Sequence, residues 1–258
     1  MSSVLFEIKN SIAFVTLNRP EKFNAFNREM ALRLQAHLDE CASVPDIRCV
    51  YITGAGKAFC AGQDISELVG ENKIEIAQIL SEHYNPIVKK IRNLPKPVVC
   101  AVNGVAAGAG ANIALCCDVV AATATASFIQ AFSKIGLIPD SGGTFTLPRL
   151  IGWQKASALM MTGDKVTATD AEKMGMIYKV FADESFEAES KKIATTLSQM
   201  PTKGLAFTKY ALNNSFTNSW EEQLLLEDKY QQKAAATLDY NEGINAFLEK
   251  RIPNFKGE

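Results

Sequence analysis

The chain has 258 residues, and its 27 Lys or Arg and 28 Asp or Glu give a formal net charge of −1. Such balance offers no electrostatic footprint for nucleic acid or an anionic membrane, so we expect neither partner. No apolar run approaches the ~20 residues that span a bilayer. The first residues show no basic segment followed by an apolar one, so we expect no signal peptide and a cytoplasmic protein.

The six cysteines predict reduced core residues. None forms a C-x-x-C pair, and two of them are adjacent inside an apolar run, so neither a zinc site nor a disulfide framework is indicated. Their positions are 41, 49, 60, 100, 116 and 117.

The first half of the chain alternates strands and helices. Buried strands separated by helices favour an α/β fold with largely parallel pairing. Apolar spacing predicts helices over 28–43 and 74–93, the second with a possible kink at Pro86. Strands are predicted over 4–9, 12–17, 48–54, 97–103 and 118–123.

The second half is mostly helical. Beyond residue 150 or so, the pattern predicts successive helices with no long linker between them. They lie over 153–162, 168–174, 184–198, 202–214, 219–234 and 242–251.

Several catalytic patterns are absent or incomplete. The segment T-G-A-G-K-A (53–58) lacks the first glycine of a phosphate loop, and Ala58 follows the lysine where Ser or Thr is needed. His37 and His83 are isolated on predicted helices, which favours packing roles over metal ligation. No G-x-S-x-G segment is present, so a serine hydrolase is not indicated.

A carboxylate lies inside an otherwise apolar turn, G-L-I-P-D-S-G-G, at residues 136–143. Burying a carboxylate is costly unless it is paired or used. Asp140 is therefore either an N-cap for the segment that follows or an acid/base group.

Four segments together resemble the crotonase superfamily, the enoyl-CoA hydratases and isomerases. They are N-R-P-E-K-F-N-A-F (18–26), A-F-C-A-G-Q-D-I (58–65), K-P-V-V-C-A-V-N-G-V-A-A-G-A-G-A-N (96–112) and K-I-G-L-I-P-D-S-G-G-T-F-T-L-P-R-L-I-G (134–152). The resemblance covers essentially the whole chain. It implies a core of repeated ββα units over 1–195 and a helical C-terminal region over 196–258 that forms trimers or dimers of trimers.

The resemblance also implies chemistry on acyl-CoA thioesters, in which two backbone N–H groups stabilise an enolate oxygen. By the family pattern these donors are Gln63 and Ala109. The neighbouring Gly62 and Gly108 allow the backbone to approach a ligand closely. The alternative for these small residues is that they only permit tight packing.

The general base distinguishes the branches of this family. The resemblance implies two glutamates in hydratases, at places that Asn112 and Phe132 occupy here. An amide does not accept a proton at neutral pH, so efficient hydration is not expected. Double-bond isomerases of the superfamily carry their single carboxylate where this chain has Asp140.

The substrate-binding residues are also implied by the resemblance. Lys22 and Phe23 are expected near the adenine and ribose of CoA, with Ala61, Asp64 and Ile65 along the chain and adenine. Lys22 could equally be a solvated surface lysine. Phe132 and nearby apolar residues are expected either to line an acyl pocket or to belong to the core.

Within the superfamily, the segments A-G-Q-D-I, H-Y-N-P-I-V (83–88) and A-F-S-K-I-G-L-I-P-D (131–140) resemble the branch that isomerises ring-1,2-epoxyphenylacetyl-CoA to its oxepin. This implies a cofactor-free isomerase in phenylacetate catabolism. A Δ3,Δ2-enoyl-CoA isomerase needs the same parts. A catalytically silent binding protein of this fold is the alternative from another class.

Overall fold

The computed structural model describes residues 2–71 and 73–258. Its strands form a six-stranded sheet in the order β1-β2-β3-β5-β7-β10 and a four-stranded sheet in the order β4-β6-β8-β9. The strands are β1 (Val4–Lys9), β2 (Ile12–Leu17), β3 (Cys49–Gly54), β4 (Ala58–Cys60), β5 (Val98–Val102), β6 (Val105–Ala107), β7 (Val119–Thr123), β8 (Ser127–Ile129), β9 (Lys165–Thr167) and β10 (Lys179–Phe181).

The larger sheet is parallel except at one edge, where β1 and β2 form an antiparallel hairpin. Asn10 and Ser11 make its two-residue turn with φ of 52° and 61°, the left-handed values that a tight hairpin requires. Strand β5 is buried along its whole length, as expected for a central parallel strand covered on both faces. The predicted α/β class is confirmed.

The two sheets are linked by a repeated unit. Strands β3, β5 and β7 lie in the larger sheet, and the strand that follows each of them lies in the smaller sheet. Helical segments follow each pair, so the ββα repeat that the resemblance implied is present. Because β4, β6 and β8 have three residues each, the smaller sheet depends on pairing between distant segments.

The helices follow most of the predicted segments. Among the differences, the last helix begins before residue 242, and α4 and α5 were not among the predicted segments. The helices are α1 (Arg28–Ser43), α2 (Ile76–Gln78), α3 (Asn85–Asn93), α4 (Ala109–Leu115), α5 (Gly143–Ile151), α6 (Trp153–Thr162), α7 (Ala168–Lys173), α8 (Phe186–Gln199), α9 (Thr202–Asn214), α10 (Trp220–Ala235) and α11 (Leu238–Leu248).

The segment predicted as one helix over 74–93 contains a π-helical stretch, Ile79–Tyr84, between α2 and α3. Pro86 lies in the first turn of α3 and has no N–H to donate to the carbonyl of Glu82. The Gln35 side chain compensates by donating to the Glu82 carbonyl at 2.7 Å and to the His83 carbonyl at 3.3 Å. The helix therefore changes winding instead of simply bending at Pro86.

The C-terminal helices attach to the sheet through buried polar contacts. The Tyr51 hydroxyl on β3 is 2.9 Å from the Ser190 hydroxyl on α8. The buried Lys209 ammonium on α9 lies 2.7 Å from Asp118 and 2.8 Å from the Ile91 carbonyl that it donates to. The expected boundary between residues 195 and 196 falls inside α8, which packs on the larger sheet.

All six cysteines are buried and free of disulfides, as predicted. In the described part of the chain, no helix is both long and apolar enough to cross a bilayer.

Candidate active site

A cavity of about 490 Å³ lies among the loops and helices that connect the strands of the two sheets. Its size suits a small acyl group. Its wall is formed by the loop after β4, the region from α2 to the start of α3, the start of α4, and the segment 131–144, which contains Asp140. Most of the wall surface is apolar, and its large aliphatic side chains are Ile65, Leu68, Ile76, Ile79, Leu80, Ile135, Leu137 and Ile138.

The Gln63 and Ala109 backbones both line this cavity. Gln63 follows β4, and Ala109 is the first residue of α4, so its N–H has no acceptor within the helix. Across residues 2–71 and 73–258, neither N–H donates to a protein acceptor. Both N–H groups that the resemblance implied as donors are therefore unpaired, and an oxygen of a ligand in the cavity could accept hydrogen bonds from them.

Gly62 brings these two segments together. Its φ is 97°, a left-handed conformation that favours glycine. A Cβ there would lie 3.1 Å from the Ala107 carbonyl oxygen and 3.7 Å from the Ala109 nitrogen. A side chain at position 62 would push the Gln63 loop away from α4. Glycine is therefore required here because the two backbone segments approach each other closely.

Asp140 faces the same cavity and does not cap α5. The N-cap of α5 is Gly142, which makes no side-chain capping hydrogen bond, and the Asp140 backbone carbonyl, not its carboxylate, accepts from the Gly143 N–H at 2.9 Å. The interpretation of Asp140 as an N-cap is therefore wrong. Its carboxylate accepts a hydrogen bond from the Ser141 hydroxyl at 2.8 Å. Among the residues of the cavity wall, Asp140 is the one carboxylate in the described part of the chain.

Burial raises the pKa of Asp140 above the ordinary aspartate value, and the hydrogen bonds from Ser141 and from its own backbone only partly oppose this. A raised pKa moves a carboxylate toward the range in which it can both accept and return a proton near neutral pH.

Asn112, where hydratases carry a glutamate by the family pattern, holds the Asp140 turn. Its side-chain amide donates to the Asp140 carbonyl at 2.9 Å, and its carbonyl accepts from the Gln130 amide at 2.8 Å. The Gly143 backbone packs so closely on it that a Cβ there would meet the Asn112 amide nitrogen at 2.3 Å. Both polar atoms of the Asn112 side chain thus have protein partners.

Phe132 occupies the second hydratase position as an apolar wall. The side chain is buried, and a Cβ on Gly108 would lie 3.8 Å from the tip of its ring. Phe132 and Gly108 both line the cavity. The two positions at which the family pattern has the water-activating glutamates therefore hold a hydrogen-bonded amide, Asn112, and an apolar ring, Phe132.

The residues expected at the CoA end divide into two groups. Ala61 and Ile65 line the cavity, whereas Lys22, Phe23 and Asp64 do not. The Phe23 carbonyl accepts a hydrogen bond from the Ala61 N–H at 3.0 Å, which places the exposed Phe23 beside the cavity loop.

The Asp64 carboxylate is committed to the protein. It lies 2.8 Å from the Arg19 guanidinium and accepts from the Ser66 hydroxyl at 2.7 Å. Burial acts to raise the pKa of Asp64, but the hydrogen bonds from Ser66 and Arg19 outweigh it and lower the pKa to about 2. A contact between Asp64 and CoA would therefore use its backbone.

Sequence reasoning did not assign a role to Tyr84 or Glu67. The Tyr84 hydroxyl donates to the Gln63 side-chain oxygen at 2.6 Å, and the Gln63 amide donates to Glu67 at 3.0 Å. The sequence signal for Tyr84 was its position directly before Asn85-Pro86, where a proline interrupts the hydrogen bonding of the predicted helix.

The raised pKa of Asp140 predicts a pH-dependent stability difference. The folded protein holds the Asp140 proton more tightly than the unfolded chain does, so the free energy of unfolding falls as pH rises through these pKa values. Asp140→Asn, which is neutral at every pH, should be more stable than the natural chain at about pH 7, and the difference should shrink toward about pH 4. Urea unfolding of both proteins at both pH values measures this. Equal stability at neutral pH would contradict it.

The cavity brings two unpaired backbone N–H groups and one carboxylate with a raised pKa to an apolar wall, and these are groups that an enzyme can use on a carbonyl compound. The chain matches the family model for enoyl-CoA hydratase/isomerase over residues 7–258. It belongs to that family.

Individual relatives agree in fold and differ in activity. The 1,2-epoxyphenylacetyl-CoA isomerase of Escherichia coli K12 is 43% identical over 261 aligned residues, with 100% of both chains covered. The enoyl-CoA hydratase structure from Bacillus anthracis superposes with a TM-score of 0.93 at 31% identity, covering 99% of this chain and 100% of the other. That from Polaromonas sp. JS666 gives 0.91 at 32% identity, covering 98% and 99%. The crotonase fold is confirmed.

Proposed function

We propose that this chain is an isomerase of acyl-CoA thioesters that needs no cofactor beyond the CoA of its substrate. The observation that carries the proposal is the pairing of one cavity carboxylate, Asp140, with two non-carboxylate residues at the hydratase positions, Asn112 and Phe132. A site with one acid/base group can move a proton between two carbons, but it lacks the pair of carboxylates for water addition.

In this proposal the thioester oxygen accepts hydrogen bonds from the Gln63 and Ala109 N–H groups. These donors stabilise the enolate that forms when Asp140 removes a proton from the carbon next to the carbonyl. Asp140 then returns the same proton to a carbon two positions along the chain, and the double bond shifts. No atom is gained or lost, and Asp140 ends in its starting form.

The preferred substrate is ring-1,2-epoxyphenylacetyl-CoA, which would rearrange to its oxepin isomer. The similarity to the Escherichia coli enzyme over the full length supports this choice. The aliphatic wall is suited to an uncharged ring. In the ring expansion the carbon–carbon bond shared by the epoxide and the six-membered ring breaks, its electrons move into the ring double bonds, and the oxygen keeps both of its carbon bonds, so no atom is gained or lost.

A Δ3,Δ2-enoyl-CoA double-bond shift is the second candidate, because the same carboxylate and donors serve it and an aliphatic wall also fits an alkenyl chain. A silent binding protein is disfavoured because a buried carboxylate with a raised pKa, kept in a ligand-sized cavity, is costly without a chemical use.

The CoA portion is proposed to extend past Ala61 toward Lys22 and Phe23, where an ammonium can meet phosphate groups. We also propose a homotrimer or a dimer of trimers. Support comes from α10 and α11, which expose large apolar side chains that a partner copy would cover. These are Trp220, Leu224, Leu225, Phe247 and Leu248.

The test compares three reactions of the purified protein: isomerisation of enzymatically generated epoxyphenylacetyl-CoA, isomerisation of a 3-enoyl-CoA, and hydration of a 2-enoyl-CoA. We expect kcat/KM for one isomerisation to exceed that for hydration by at least about a hundredfold. The faster isomerisation identifies the substrate. Hydration as the fastest reaction would overturn the proposal, and so would no turnover of any substrate with tight thioester binding.

A further inference from the structure

We propose that Tyr84 is a positioning residue that fixes the Gln63 oxyanion donor through the Gln63 side chain. The inference deepens the proposed function and depends on it, because it concerns how the thioester oxygen is held. Its observation is a chain of hydrogen bonds: Tyr84 hydroxyl to Gln63 side-chain oxygen at 2.6 Å, and Gln63 amide to Glu67 carboxylate at 3.0 Å.

The Gln63 side chain is held at both ends. Its oxygen accepts from Tyr84 and its nitrogen donates to Glu67, which fixes the orientation of the amide without ambiguity. The backbone on either side is also held, since Phe26 N–H donates to the Gly62 carbonyl at 2.7 Å and Asp64 N–H donates to the Phe26 carbonyl at 2.8 Å. The Gln63 N–H, like the Ala109 N–H, remains without a protein acceptor in the described residues.

Glu67 anchors this arrangement to the fold. One carboxylate oxygen accepts from Gln63, and the other accepts from the Arg28 backbone N–H at 2.9 Å, at the first residue of α1. A negative charge at a helix N-terminus is favourable, so Glu67 is itself well held. Through Glu67, these hydrogen bonds link the Gln63 residue to the start of α1.

On the other side, Tyr84 is held by burial. It is only 1% exposed, and its ring meets Phe26 edge to face with centroids 5.9 Å apart. Burial, followed by the nearby Cys60, Asp140 and Glu67, raises the pKa of Tyr84 well above its ordinary value, so the phenol stays protonated and remains a donor.

The π-helical stretch gives Tyr84 this position. Tyr84 is its last residue, and the Asn85 N–H that follows donates to the Leu80 carbonyl, five residues back. An uninterrupted α-helix would bond four residues back, and the side chain at position 84 would then emerge at a different angle around the axis. Local π-winding in helices frequently occurs at functional sites, and here it directs a phenol at the cavity loop.

The consequence is preorganisation. An oxyanion donor stabilises charge best when it is already in place before the charge develops. Loss of the Tyr84 hydroxyl would leave the Gln63 side chain free to reorient, and the N–H would then meet the oxygen less directly. Since the ground-state thioester carries less charge on oxygen than the enolate, kcat should fall more than substrate affinity.

The test uses Tyr84→Phe, which removes one oxygen and keeps the ring. We expect kcat to fall by about tenfold or more, with KM changed by less than about twofold. A second readout is the infrared carbonyl stretch of a ¹³C-labelled, unreactive acyl-CoA thioester. Binding to the natural protein should lower its frequency relative to water, and Tyr84→Phe should lose a large part of that lowering.

The matched control is Tyr51→Phe, which also removes a buried tyrosine hydroxyl, here one paired with Ser190, and neither residue lines the cavity. It should cost similar stability and leave kcat and the carbonyl frequency unchanged. Gln63→Met, which keeps the backbone N–H, should reproduce the Tyr84→Phe effect. The double variant should be no worse than either single variant, because both break one chain of contacts.

Natural kcat and natural carbonyl frequency in Tyr84→Phe would overturn the inference. If Tyr84→Phe does not fold, Gln63→Met decides the question by the same two measurements. Failure of the proposed function is separate: the natural protein would then turn over no thioester, while the carbonyl frequency would still report whether Tyr84 positions the donor.

Discussion

Asp140→Asn is expected to lose isomerase activity by about a thousandfold, within the range of 10²–10⁴ typical of a removed acid/base group. The amide is close in shape and keeps an oxygen that can accept from Ser141, so the turn should hold its conformation. It cannot take up a proton, and both halves of the proton transfer stop. Binding of a CoA thioester should change by less than about threefold, since no contact to CoA is removed.

The same measurement across pH tests the cause. In the natural protein kcat/KM should fall toward acid pH, with the inflection above the ordinary aspartate pKa, because Asp140 acts in its ionised form and burial raises its pKa. Asp164→Asn removes an exposed carboxylate outside the cavity and should retain full activity. Natural rates in Asp140→Asn would show that proton transfer uses another group.

Gly110→Ala is expected to lower kcat by about a hundredfold, comparable to losing one oxyanion donor. A Cβ at position 110 would lie 2.5 Å from the Cys60 backbone oxygen and 2.7 Å from the Cys60 sulfur. These are distances that no real Cβ contact maintains, so the first turn of α4 must move and the Ala109 N–H must move with it. Overpacking should also cost about 1–3 kcal/mol of stability.

Gly204→Ala provides the matched control for this substitution. Gly204 lies inside α9, and a Cβ there would meet only Pro201, at 3.6 and 3.8 Å, an ordinary contact distance. The variant should gain about 0.5–1 kcal/mol from the improved helix propensity and keep its kcat. Thermal unfolding and steady-state kinetics on both variants measure the two effects. An active Gly110→Ala would show that the start of α4 does not hold the oxyanion donor.

Elements with strong local patterns were predictable from the sequence. The helix over 28–43 has its apolar residues at helical spacing, and the structure begins and ends α1 at those same residues. The buried strands of the larger sheet, the reduced cysteines and the turn with Asp140 were likewise predictable, since composition and spacing over six or more residues carry the signal.

Short and strained elements were not predictable. Strands β4, β6 and β8 have three residues each, which is too short for any periodicity, and they exist because neighbouring ββα units align them. Helix α5 begins at Gly143 after an unusual turn in which Ser141 and Gly142 both have positive φ, and it contains Pro148. Propensity alone argues against a helix there, and packing on α4 overrides it.

The sequence by itself determined the family, the α/β class and the chemical types at the hydratase positions, because these depend on residue identity at fixed spacing. The tertiary structure alone decided that the Asp140 carboxylate does not cap α5, that Asn112 holds the Asp140 turn, and that Tyr84 reaches Gln63. The Tyr84 and Asn112 contacts join residues 21 and 28 positions apart, and no local pattern encodes such contacts.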